Sequence, residues 1–185
     1  MSYSSEFKLA RRRVVITGLG IVSPVGNSVT EAWQNILAGR SGIGPVTRFD
    51  ASTFPVRIAG EVRGFDVGQY LSLKEARRMD VFIHYGMAAG IEAIRDAGLD
   101  GQPMVPERIG VSIGSGIGGL PMIESTCDDF AAGGVRKVSP FFVPGSIINM
   151  ISGNLSIMCG YKGPNISLVS ACSTGTHSIG DAGRL

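Results

Sequence analysis

Charge is scarce in this chain. Asp, Glu, Lys and Arg make up 17% of 185 residues, against about 25% in an ordinary soluble domain. Hydrophobic residues reach 44%. Intrinsic disorder needs the reverse balance and is excluded. The Glu/Lys/Leu bias of a coiled coil is missing, and no G-x-y period supports a collagen reading. Histidine is nearly absent, with only His84 and His177. The three cysteines, Cys127, Cys159 and Cys172, are odd in number and widely spaced. Neither a disulfide framework nor a zinc site fits such spacing, so no metal and no cofactor is expected. A reducing, cytoplasmic compartment is the simplest setting for free thiols.

Targeting signals are lacking too. No long apolar segment with a small-residue cleavage site follows MSYSSEFKLARRR, so a secretory leader is not expected. Residues 138–161 carry no charge, but they include Pro140, Pro144, Asn149, Asn154 and three glycines. Those would leave backbone and amide groups unpaired in lipid, which argues against a membrane span. A net charge of +2 is too small to advertise nucleic acid. Basic residues do cluster locally, at Arg11, Arg12 and Arg13, at Lys74, Arg77 and Arg78, and at Arg136 with Lys137. Taken alone, each cluster reads as a solvated face.

Glycine is what the chain has in plenty, 27 of 185 residues, about double the usual share. The few charges are also unevenly placed. Between residues 138 and 180 the only one is Lys162. A stretch so poor in charge is expected to be buried on most sides, in a large interface or under protein beyond this sequence.

The local pattern predicts an α/β architecture with a mainly parallel sheet. Strands are expected at residues 14–17, 56–62, 109–113 and 166–171, where short apolar, β-branched runs end at turn residues. Helices are expected at 31–38, capped by Ser28 or Thr30, and at 74–97, 121–132 and 144–159. In the longest, Met79, Phe82, Ile83, Met87, Ile91 and Ile94 recur at spacings of three and four.

The strongest chemical signal is ISLVSACSTGTHSIG. An apolar strand runs directly into Cys172, and Ser173, Thr174, Gly175 and Thr176 continue as small residues. Such a turn holds the thiol at a helix N-terminus, where the macrodipole and free N–H groups favour thiolate and can stabilise an oxyanion. Local context leaves two readings open, an activated nucleophile or an inert core cysteine. Cys127 and Cys159 read as structural. His177 lies five residues after Cys172 and so about 140° round a helix from it, which makes it a poor general base. His84 reads as a satisfied helix histidine. GSGIGG (Gly114, Gly116, Gly119) formally matches a dinucleotide fingerprint, but no acidic residue follows about twenty positions on. Close backbone packing is the preferred reading of these glycines.

Several segments together resemble one family. RRRVVITGLGIVSPVGNSVTEAW, KEARRMDVFIHYG, IGVSIGSGIGG, SPFFVPGSIINM and ISLVSACSTGTHSIGDAGR are similar, in order, to the β-ketoacyl-acyl carrier protein synthases, nearest the branch of bacterial fatty acid synthesis. The resemblance implies a thiolase-like fold, with residues 11–185 as the N-terminal half of a five-layered αβαβα architecture and residues 1–10 as an extension. It implies that Cys172 accepts the acyl chain and supplies an oxyanion-hole N–H, and that Ile117 and Phe142 line the acyl pocket. It implies that Lys74, Arg77 and Arg78 dock an acidic acyl carrier protein, and that the protein is a homodimer. The family's two catalytic histidines and its lysine belong to the second half, for which His84 and His177 do not substitute. The chain alone is therefore expected not to catalyse condensation. A ketosynthase of polyketide assembly and a non-catalytic half-domain that only dimerises or binds carrier protein are the alternatives.

Overall fold

Helix α3 (Val81–Asp96) is the element on which the rest is assembled in the computed structural model, which describes residues 13–185. The expected 1–10 extension, with Arg11 and Arg12, lies outside the described residues. Before α3 come α1 (Val29–Leu37), β1 (Ile43–Pro45), β2 (Ile58–Gly60) and α2 (Leu73–Ala76). After it come β3 (Val111–Ser112), α4 (Leu120–Gly133), α5 (Phe142–Ser146), α6 (Met150–Cys159), β4 (Asn165–Ile166) and α7 (Thr174–Ala182).

The expected apolar stripe of α3 forms the core. Ile83 and Met87 are fully buried, and Ile91 joins Leu71, Val111, Ile151 and Leu155 around them. Each such side chain contributes about 1.5–3 kcal/mol by leaving water. Helix α6 can approach α3 closely because two glycines leave space. A Cβ at Gly86 would lie 2.6 Å from Ile151 Cγ2, and one at Gly90 2.7 Å from Leu155 Cδ2.

Helix α1 begins where expected, because Ser28 accepts from the Glu31 N–H at 3.2 Å. The expected single helix over 74–97 is two. A capping box between Ser72 and Glu75 starts α2, and Asp80 restarts the chain as α3. Its backbone is extended (φ −69°, ψ 158°) and its carboxylate accepts from the Phe82 N–H. The apolar spacing of Met79 and Phe82 runs across this break and conceals it. The expected 144–159 helix is also two, α5 and α6, parted at residues 147–149.

The sheet differs from the expectation of a mainly parallel one. β3 and β4 pair in parallel over two residues each, while β1 and β2 form a separate antiparallel hairpin. β1 was not foreseen, because Gly44 and Pro45 disguise it. Residues 14–17 join neither sheet, and Val15 is 72% exposed. Among the described residues no strand lies beside them to complete a ladder. Just downstream, carboxylates of α3 take the backbone instead, with Leu19 N–H donating to Asp96 (2.8 Å) and Ile21 N–H to Glu92 (3.4 Å).

The charge-poor stretch is buried only in part. Ile151, Ser152 and Leu155 are core, but Ile157 is 78% and Ile179 72% exposed. Among the described residues, burial on most sides is not reached, since apolar side chains of α5, α6 and α7 such as Val143, Ile157 and Ile179 stay exposed.

Candidate functional site

Cys172 sits exposed in a single 3-10 turn, Ala171–Ser173, that runs straight into α7. The apolar strand before it is shorter than expected, since ladder pairing stops at Ile166 and residues 167–170 continue unpaired to the turn. Ala171 takes φ 53°, and among the described residues it is the sole non-glycine with positive φ. Such a conformation costs about 1–3 kcal/mol and persists only where the surroundings over-determine it.

The surroundings here are hydroxyl groups. Ser173 Oγ donates to the Ser170 carbonyl, and Thr174 Oγ1 donates to the Ala171 carbonyl, both at 2.7 Å. The Ser170 N–H donates to Thr174 Oγ1 at 2.9 Å. Two of the small residues that follow Cys172, Ser173 and Thr174, thus lock the turn. The thiol is thus presented ahead of the first N–H groups of α7, which have no partner within the helix.

The GSGIGG loop packs against this turn. A Cβ at Gly114 would lie 2.5 Å from Thr174 Cγ2, and one at Gly116 3.4 Å from the Ala171 carbonyl oxygen. Close packing is therefore the role of Gly114 and, against Ser146 and Asp80, of Gly119, whereas Gly116 leaves room for a methyl group. Ile117 stands at the tip of the loop, 68% exposed. Gly119 N–H donates to the Ser146 carbonyl at 2.9 Å, which ties the loop to α5. Phe142, half-buried, opens α5. The fold thus joins the three segments carrying Cys172, Ile117 and Phe142.

Lys74, Arg77 and Arg78 are all exposed on and just after α2. The ion pairs among the described residues, Arg95–Asp100, Lys162–Glu107 and Arg184–Asp181, involve none of them. Glu75 turns back into its capping box, where the Ser72 hydroxyl and N–H hold its carboxyl below the usual range. Arg78 lies over the Phe141 ring, 4.4 Å from its centroid, a cation–π contact. That contact links the basic cluster to the segment bearing Phe142.

Neither histidine touches the thiol turn as a base would. His84 Nε2 donates to the Ala76 carbonyl at 2.9 Å, joining α3 to α2. His177 does have a partner that the sequence did not reveal. Its Nδ1 lies 2.6 Å from Ser170 Oγ. The helical angle from Cys172 was a sound reason to set His177 aside, but the turn folds Ser170 back to meet it. Cys127 is exposed on α4. Cys159 is half-buried beside Tyr161, and burial pushes its thiol up. Among the described residues no group of three His, Cys, Asp or Glu side chains is placed to hold a metal ion. No described helix is long and apolar enough to cross a membrane.

Residues 11–184 match the family model "Beta-ketoacyl synthase, N-terminal domain". The chain is 55% identical over 177 residues to 3-oxoacyl-[acyl-carrier-protein] synthase 2 of Vibrio cholerae, covering 96% of this chain and 43% of that protein. It is 48% identical over 174 residues to the synthase 2 of Staphylococcus aureus, covering 94% and 42%. The chain thus spans about two fifths of the length of the curated relatives it matches. A β-ketoacyl synthase from Burkholderia phymatum superimposes with a TM-score of 0.80 at 28% identity, covering 94% of this chain and 43% of that one. A type II polyketide ketosynthase, solved with its acyl carrier protein and bound to the hexaketide, superimposes with a TM-score of 0.76 at 25% identity, covering 94% and 47%. The fold is the thiolase-like α/β fold of these ketosynthases.

Proposed function

This chain belongs to the β-ketoacyl synthase family, and on that premise we propose that it carries the acyl-accepting thiol of a condensing enzyme of fatty acid synthesis. The observation that carries the reading is the exposed Cys172 in its locked turn at the head of α7. In this reading residues 11–185 are the N-terminal half of the synthase and residues 1–10 an extension.

The Cys172 thiolate attacks the thioester carbonyl of an acyl carrier protein. The carbonyl electron pair moves onto oxygen, where N–H groups of the turn stabilise it, and its return expels the carrier thiolate. The acyl chain is then held on sulfur, with Ile117 and Phe142 lining its path. In the whole protein, malonyl-carrier loses CO2, and the electron pair of the broken C–C bond becomes an enolate. Its carbon attacks the acyl-Cys172 carbonyl, the new C–C bond forms, and the Cys172 thiolate leaves. The product is longer by two carbons.

Lys74, Arg77 and Arg78 are the docking face for the acidic carrier, whose carboxylates need a complementary surface. The cytoplasm is the proposed compartment. A homodimer is the proposed assembly, supported by the apolar side chains left facing outward on α6 and α7. Polyketide extension is the second reading, supported by the likeness to the type II ketosynthase. The much higher identity to the synthase 2 relatives favours fatty acyl chains.

Acyl loading tests the proposal. Wild-type chain incubated with a fatty acyl carrier is expected to gain the acyl mass on the peptide containing Cys172, and Cys172→Ala is expected to gain none. Equal loading of the variant would overturn the assignment. Carrier binding without any loading would favour the non-catalytic half-domain.

A further inference from the structure

Ser170 is the hub of the turn that presents Cys172. Its N–H, its carbonyl and its hydroxyl are all engaged, and every partner lies beyond the thiol, on Ser173, Thr174 and His177. Three of these partners lie within four residues of Ser170: the Thr174 hydroxyl, the Ser173 hydroxyl and the Ser173 N–H, which also donates to the Ser170 carbonyl at 3.3 Å. The fourth is the His177 imidazole, seven residues on, in the second turn of α7. His177 therefore connects the segment entering the turn to the helix leaving it, bridging the stretch of chain that holds the strained Ala171 and Cys172.

We infer that His177 is a positioning residue for the Cys172 thiol and acts through Ser170. The imidazole holds the Ser170 hydroxyl whichever way the proton lies between them, so the link persists in either tautomer. It fixes the φ 53° conformation at Ala171 and keeps the sulfur aligned with the N–H groups of α7. Without it the remaining turn bonds are local ones between short side chains, and the αL residue can relax. The thiol then spends part of its time away from the helix N-terminus, out of line with the N–H groups of α7, and reacts more slowly. His177 removes no proton from Cys172 in this scheme.

The inference rests on Cys172 being the acceptor thiol, and the test separates the two claims. The wild-type chain and the variants His177→Ala, Ser170→Ala, His177→Asn, His177→Gln and the double alanine variant are treated with iodoacetamide. Peptide mass spectrometry then follows each cysteine. Cys127, exposed on α4, is the internal reference, and fast labelling of half-buried Cys159 flags a misfolded variant.

The Cys172 to Cys127 rate ratio is expected to fall about three- to tenfold in either alanine variant, the range of one lost hydrogen bond. The double variant is expected to match the singles, because both remove the same link. His177→Asn is expected to restore the ratio, since its amide reaches the Nδ1 position. His177→Gln, whose amide sits at the Nε2 position, is not. An unchanged or raised ratio in Ser170→Ala and His177→Ala, or additive losses in the double variant, would overturn the inference. Acyl loading measured on the same samples reports on the other claim. A wild type that loads no acyl chain but shows the His177-dependent ratio refutes the acceptor role alone.

Discussion

Asp80 and Met122 are 42 residues apart, and the carboxylate of the first accepts the N–H of the second at 2.7 Å. The other carboxylate oxygen accepts from Phe82 N–H, so one side chain, only 4% exposed, caps both α3 and α4. Two helix N-termini converge on a single negative charge, which both macrodipoles favour. The Asp80 N–H also donates to the Gly145 carbonyl at 3.0 Å, which draws α5 into the same junction. Because α4 follows the GSGIGG loop directly, this junction anchors the loop that packs on the thiol turn.

Asp80→Ala is expected to lower stability by about 2–4 kcal/mol, the loss of two caps with one N–H left buried. Asp80→Asn keeps one acceptor oxygen and is expected to lose about half as much. Urea unfolding of the two variants checks the order. Equal losses would show that a lost charge, rather than two lost acceptors, sets the cost.

Reversing the basic cluster is expected to weaken carrier docking. Lys74→Glu with Arg77→Glu should raise the Kd for an acidic acyl carrier protein by about tenfold or more at low salt, with the difference shrinking as salt screens it. Titration at two ionic strengths measures both effects. A Kd that stays at the wild-type value in low salt removes the cluster from the docking face.

Gly114→Ala is expected to disturb the thiol turn. The added methyl would meet Thr174 Cγ2 at 2.5 Å and crowd the Leu168 carbonyl still more closely. Stability should drop by about 1–3 kcal/mol, as for other overpacked sites, and alkylation of Cys172 should slow while that of Cys127 does not. Gly175→Ala is the control, since a Cβ there meets nothing, and it should leave stability close to wild type.

Glu61 gives the β1–β2 hairpin a pH dependence. Its carboxylate accepts from Thr47 Oγ1 at 2.7 Å and from the Thr47 and Arg48 N–H groups. The Thr47 hydroxyl, then the backbone bonds, hold its pKa below the ordinary 4.5. A carboxylate depressed on folding stabilises fully above the unfolded value, and the contribution is lost as pH falls through the folded value. Stability should therefore decline more steeply below about pH 4.5 in the wild type than in Glu61→Gln. Denaturant midpoints taken from pH 6 down to pH 3 compare the two slopes.

Local signals in the sequence located much of this fold. Ser28 marks the start of α1, and the stripe through Ile83, Met87 and Ile91 is the core. Gly114 and Gly119, which failed as a nucleotide fingerprint, are packing glycines. What stayed hidden depends on contacts between distant segments. The spacing of Met79 and Phe82 gives no hint that Asp80 divides the helix, because its second partner, Met122, is remote in sequence. Residues 14–17 have the composition of a strand, yet composition does not supply a neighbouring ladder. Cys172 was visible as a strand-end residue followed by small ones. Roles for Ile117, Phe142 and the Lys74 cluster came only from the resemblance, since a single exposed isoleucine or arginine carries no chemistry by itself. His177 was discounted by its angle from Cys172, and its true partner lies on the other side of a backbone reversal.

The contact between α3 and α6 sets a rule for how this sequence can drift. Ile151 occupies the space a side chain at Gly86 would need, and Leu155 does the same for Gly90. Enlargement at either glycine requires the facing side chain to shift or to be truncated, so Gly86 with Ile151 and Gly90 with Leu155 should vary as pairs. Each pair has to conserve summed volume across the interface. Homologues that carry alanine at the glycine positions should carry valine or alanine opposite.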